Sequence, residues 1–71
     1  MVGLSRILEL RAGESFDLQW KDKNYTIRRD DVGMFTSYIW MEMDDEKIMK
    51  IKRVEISPYA MRDRVAQELA D

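Results

Sequence analysis

The chain has 71 residues, a formal net charge of −2, 45% apolar residues and 37% charged ones, which describes one small ordered domain and excludes a disordered segment. It contains no Cys and no His, so disulfides, thiolate metal sites and the commonest general base are excluded. No apolar run approaches the ~18 residues of a membrane span, and the opening Met-Val-Gly-Leu-Ser-Arg lacks the charged start and long apolar stretch of a signal peptide.

Residues 4–11 fit two patterns. Leu8 and Leu10 feed into a hairpin as a strand, which is the preferred reading; Leu4, Ile7, Leu8 and Arg11 also suit a short helix ending at Gly13. Ala12-Gly13-Glu14 is a turn. Phe16, Leu18 and Trp20 then alternate with Asp17, Gln19 and Lys21, the period of a half-buried strand. Asp22-Lys23-Asn24 is read as the next turn, with Asn suited to a left-handed conformation. Tyr25 and Ile27 carry the alternation into Arg28 and Arg29, and Asp30-Asp31-Val32-Gly33 breaks it.

Met34 to Met43 resumes as an aromatic and β-branched strand containing Phe35, Tyr38, Ile39 and Trp40. Asp44-Asp45-Glu46 closes a tight connection, and Lys47 to Ile56 is the last strand. The pair reads as a long hairpin with an acidic tip and a basic return. Ser57-Pro58 switches the period. The Ser hydroxyl can cap a free backbone N–H, and Pro fits the first helical position, where its missing donor would have no partner anyway. Met61, Val65 and Leu69 recur at i, i+4 and i+8, and Arg64 and Glu68 are spaced to pair on the outer face. This predicts a helix over about 58–70. The whole is an α+β domain spanning 1–71: a small antiparallel sheet of four to five strands within 5–56, with one C-terminal helix packed on it.

Charge is segregated along the chain. Asp30, Asp31, Glu42, Asp44, Asp45 and Glu46 make six carboxylates without a base between them, while residues 1–29 and 47–71 each hold six bases against four acids. On an extended strand Glu42, Asp44 and Glu46 would share a face about 6.6 Å apart. One strand of duplex DNA places a phosphate every ~3.4 Å of axis, so the row imitates phosphates in sign and in scale. Two acidic groups at opposite ends of the aromatic strand would lie about 30 Å apart. With Tyr38 and Trp40 between them, these eight residues are the candidate partner-binding set.

Other chemistries lack their residues. The three acids at 44–46 do not have the spacing of a calcium loop, and no Gly stands where that loop turns. Ser5, Ser15, Ser37 and Ser57 have no His to activate them, and the three glycines form no phosphate loop. The chain is read as a non-enzyme without cofactor or metal. Lys47, Lys50, Lys52, Arg53, Arg28 and Arg29 offer an alternative: with Trp20, Tyr38 or Trp40 stacking bases, they would make a small nucleic-acid-binding β module. The negative net charge weighs against direct nucleic-acid binding. A structural or assembly subunit is a third reading.

In size, and in the acidic stretch Asp30-Asp31 and Glu42-Met43-Asp44-Asp45-Glu46, the chain resembles the small early proteins with which lytic bacteriophages disable host machinery, in particular DNA-mimic inhibitors. The resemblance implies a compact binding protein whose carboxylates occupy the DNA-binding surface of a basic host protein, such as a histone-like nucleoid protein. At a net charge of −2 it implies a local acidic face and not a uniformly acidic body. It also implies host takeover in the host cytoplasm, which a cysteine-free chain suits. A homodimer is expected, because so small a core gains most from a second copy.

Overall fold

A computed structural model describes residues 3–43 and 48–70, with backbone alone for 48–51. A 3-10 helix, Leu4–Glu9, leads into four strands and one α-helix: β1 (Ser15–Trp20), β2 (Lys23–Asp31), β3 (Thr36–Met43), β4 (Ile48–Glu55) and α1 (Pro58–Ala70). The strands pair antiparallel in the order β1-β2-β3-β4, an α+β fold in which the sheet is a simple meander.

The first segment departs from the preferred strand. Leu4 and Ile7 are both buried, and the three-residue turn of a 3-10 helix stacks i over i+3 on one face. A strand would have turned those two side chains to opposite sides. The amide of Arg6 donates to the Gly3 carbonyl at 3.1 Å, and that of Leu10 to the Ile7 carbonyl at 3.2 Å. The first hairpin turn also falls earlier than expected. Lys21 and Asp22 adopt left-handed φ of 48° and 63°, and Trp20 pairs directly with Lys23, so Lys23 and Asn24 belong to β2. A two-residue loop with both φ positive matches the right-handed twist of the strands it joins.

β2 runs through Asp30 and Asp31, which pair with Tyr38 and Ser37 and so lie in the sheet, not in a turn before it. The connection begins at Val32, and Met34 and Phe35 precede β3 instead of opening it. The helix matches its expected bounds. Ser57 Oγ accepts the Ala60 amide at 3.4 Å, and Met61, Val65 and Leu69 form the buried stripe.

One face of the sheet holds the core. Phe16, Leu18, Ile27, Ile39 and Met41 pack with Leu4, Ile7 and Leu10 from the 3-10 segment and with the three apolar residues of α1. Ser37 is fully buried among them, and its hydroxyl donates to the Asp30 carbonyl at 2.9 Å. Arg64 and Glu68 do approach, at 3.9 Å, but not on the outer face. Glu68 lies 3.5 Å from Lys52 Nζ with its side chain only 12% exposed, so the pair sits in the seam between helix and sheet.

Candidate functional site

Successive side chains of a strand point to opposite faces, so the register assigns every residue to a side. The core takes one side. The other is uncovered by any helix among the described residues. Asp17, Thr26 and Glu42 line up across three strands on that uncovered side. So do Ser15, Arg28 and Trp40, and likewise Asp30, Tyr38 and Arg53. Thr36 and Glu55 complete it at one end.

Four of the expected site residues are therefore brought together: Asp30, Tyr38, Trp40 and Glu42. Asp31 is not, because its parity puts it on the opposite side of the sheet, beside Arg29. Asp44, Asp45 and Glu46 lie outside the described residues. The expected separation of the two acidic groups shrinks as far as Glu42 is concerned. Asp30 is paired with Tyr38, four residues from Glu42 along β3, which is about 13 Å of strand. The shorter distance follows from Asp30 lying beside β3 instead of ahead of it.

Trp40 is not a core residue. It is half-buried on the uncovered face, with the Arg28 guanidinium 4.4 Å from its ring centroid, a cation–π contact. Arg28 Nε also reaches Asp30 Oδ2 at 3.2 Å, so Asp30 is partly neutralised. Asp17 Oδ1 accepts the Thr26 hydroxyl at 3.2 Å. Asp17, Glu42 and Glu55 have no ion-pair partner among the described residues. Asp17 and Glu42 both pair with Thr26, so two strand spacings, about 10 Å, separate them.

On the opposite side Arg29 holds Asp31 from Nε at 2.9 Å and from Nη2 at 3.2 Å, while its Nη1 donates to the Leu10 carbonyl at 2.7 Å. The Arg29 guanidinium keeps the Asp31 carboxyl below its ordinary pKa. Lys52 faces the helix, and Arg53 the uncovered side. The basic return strand is thus divided between the two sides, which weakens it as a continuous cationic track.

Reading the acids as one local run overlooks Asp17, Arg28, Arg53 and Glu55 as members of this face. They are distant in sequence and are joined to Trp40 and Glu42 by register alone. The period-two parity of each strand was a usable signal, but only once the pairing was known.

Among the described residues no group of three or more acids is placed to hold a metal ion, and no helix is long and apolar enough to cross a membrane. No protein-family model matches the chain, and searches of characterised proteins and of solved structures return no match.

Proposed function

We propose that the protein is a non-enzymatic binding protein that inhibits a basic DNA-binding protein, for example a histone-like nucleoid protein, by presenting carboxylates in place of phosphates. The observation that carries this reading is the charge of the uncovered face. Its described side chains comprise four carboxylates (Asp17, Asp30, Glu42 and Glu55) against two guanidiniums (Arg28 and Arg53), arranged around Tyr38 and Trp40. Unpaired carboxylates steer a cationic partner and fix its register, while the half-buried aromatic rings supply area that can be dried on contact. Asp44, Asp45 and Glu46 extend the same sign beyond the end of β3 in sequence.

The test is competition. A nucleoid protein bound to duplex DNA is titrated with this protein, and free DNA is followed by gel shift across a salt series. Release that weakens as salt rises is the expected result, because the contacts are screened. The combined reversal Asp17→Lys, Glu42→Lys and Glu55→Lys is expected to abolish release while leaving the thermal midpoint nearly unchanged. DNA that stays bound at every salt concentration and with every nucleoid protein tested removes the reading.

A second reading rests on the Arg28–Trp40 stack with Tyr38 and Arg53 beside it. This is the composition of a platform for unpaired bases. It predicts a direct shift of single-stranded nucleic acid that Trp40→Ala removes.

A further inference from the structure

Two Arg–Asp pairs stand side by side on β2, and the pleat sends Arg28 and Asp30 to one side of the sheet, Arg29 and Asp31 to the other. The pairs are held differently. On the core side Arg29 gives Asp31 two hydrogen bonds, at 2.9 and 3.2 Å, and the Leu10 carbonyl a third at 2.7 Å. Its side chain is 13% exposed. On the uncovered side Arg28 gives Asp30 one hydrogen bond, from Nε to Oδ2 at 3.2 Å, and its side chain is 45% exposed. The other hold on Arg28 is the face of Trp40. At 4.4 Å from the ring centroid it is the shortest of the four cation–π contacts among the described residues. A carboxylate beside an aromatic face suits a guanidinium, which stacks its plane on the ring and turns its N–H edge to the oxygens.

We infer that Asp30 and Trp40 form a receiving site for an arginine side chain of the partner, and that Arg28 fills this site in the free protein. The inference rests on the reading of the uncovered face as a surface for a cationic partner, and adds which side chain is recognised and where. Register builds the site. Arg28 and Trp40 stand directly opposite in the β2–β3 ladder, and Asp30 is the next residue of β2 on the same face, opposite Tyr38. A carboxylate can accept two parallel bonds from one guanidinium, but Arg28 engages only Oδ2. An incoming arginine takes both oxygens, from a partner already steered by Asp17, Glu42 and Glu55.

Arg28 then swings off the ring into solvent, at small cost, because an exposed ion pair and an exposed cation–π contact are each weak. A lysine fits less well. Its ammonium has no flat face to lay on Trp40 and no fork of N–H groups for the carboxylate. The Trp40 indole N–H is buried and finds no acceptor among the described residues, so the ring offers a ligand its face and not its N–H.

The probes are an oligo-arginine peptide and the oligo-lysine peptide of equal length, titrated into the whole chain at one salt concentration. Binding is read on the Trp40 indole N–H signal by NMR, told apart from that of Trp20 by its loss in Trp40→Phe. The arginine peptide is expected to bind about fivefold more tightly than the lysine peptide, and Asp30→Asn to remove that preference. Arg28→Gln is expected to tighten arginine binding roughly tenfold, since the internal occupant is gone. Arg53→Gln removes the same charge from the same face but not from the ring, and should gain only about twofold. Equal gains in the two variants would mean that net charge alone sets the affinity, and overturn the inference. Equal affinities for the two peptides do the same, as does arginine binding that leaves the Trp40 signal unmoved. The result is separable from DNA competition. A chain that selects arginine at Trp40 but releases no DNA keeps this site and loses the proposed partner; one that releases DNA yet treats the peptides alike loses the site and keeps the partner.

Discussion

Arg29 joins three parts of the chain. Its side chain bonds Asp31 in the same strand and the Leu10 carbonyl at the end of the 3-10 segment, while its backbone bonds Gly13 and Glu14 in the turn before β1. Hydrogen bonds to a charged group contribute roughly 1.5–3 kcal/mol, so Arg29→Ala is expected to destabilise the protein by about 2 kcal/mol in a urea titration. Asp31 gives the pH signature of this site. Its carboxyl has a lower pKa folded than unfolded, so the stability it adds is fully present above the unfolded value of about 3.9 and is lost as pH falls through the folded one. Asp31→Asn is therefore expected to be less stable than wild type at neutral pH. The gap should close in acid; a gap of constant size from neutral pH to strong acid would refute the assignment. The sequence places two acids after two arginines. What it does not show is that β2 continues through all four, pairing Arg28 with Asp30 on one side of the sheet and Arg29 with Asp31 on the other.

At the scale of elements, local signals decide where the chain has strong chemistry of its own. The helix is legible from Ser57, Pro58 and the Met61, Val65, Leu69 stripe, and Ser57→Ala is expected to cost about 1 kcal/mol by removing its cap. The 3-10 segment is not legible, because Leu8 and Leu10 satisfy a period of two while Leu4 and Ile7 satisfy a period of three. Burial against Leu18 and α1 selects the second. The β1–β2 turn is similar. Asn24 is the better left-handed residue, yet pairing Phe16 with Ile27 requires the turn at Lys21 and Asp22. Register therefore overrides local preference there, at a cost. Asp22→Gly is expected to raise stability by about 0.5 kcal/mol, since a non-glycine residue in this conformation is strained by roughly 1–2 kcal/mol and glycine gives part of that back as chain entropy. A lower melting temperature in that variant would show the turn to be unstrained.

At the scale of the molecule, one α-helix on a four-stranded sheet leaves one face without a covering layer among the described residues. That face gathers Asp17, Arg28, Asp30, Tyr38, Trp40, Glu42, Arg53 and Glu55 from four strands. The apolar loop lies at one end of β3 and Glu42 near the other. The loop and the carboxylates of the uncovered face are consequently expected to contribute separately to partner binding. The charge reversal of Asp17, Glu42 and Glu55 is expected to abolish competition with DNA, whereas Phe35→Asp, in a loop that carries none of these carboxylates, should leave competition intact. If both variants lose competition, the loop belongs to the partner-binding surface.

By itself the sequence determined the fold class, the C-terminal helix, the alternation of the strands and the segregation of charge. Each of these follows from periodicity or composition within a short window, which backbone geometry turns directly into structure. The tertiary structure alone decided which acids share a face, that Trp40 lies under Arg28 outside the core, that Glu68 belongs to the helix–sheet seam, and that Met34 and Phe35 project into solvent. Those outcomes depend on strand register and on which face the single helix covers. A shift of one residue would reverse every side chain of a strand, and no local window contains the partner strand that prevents it.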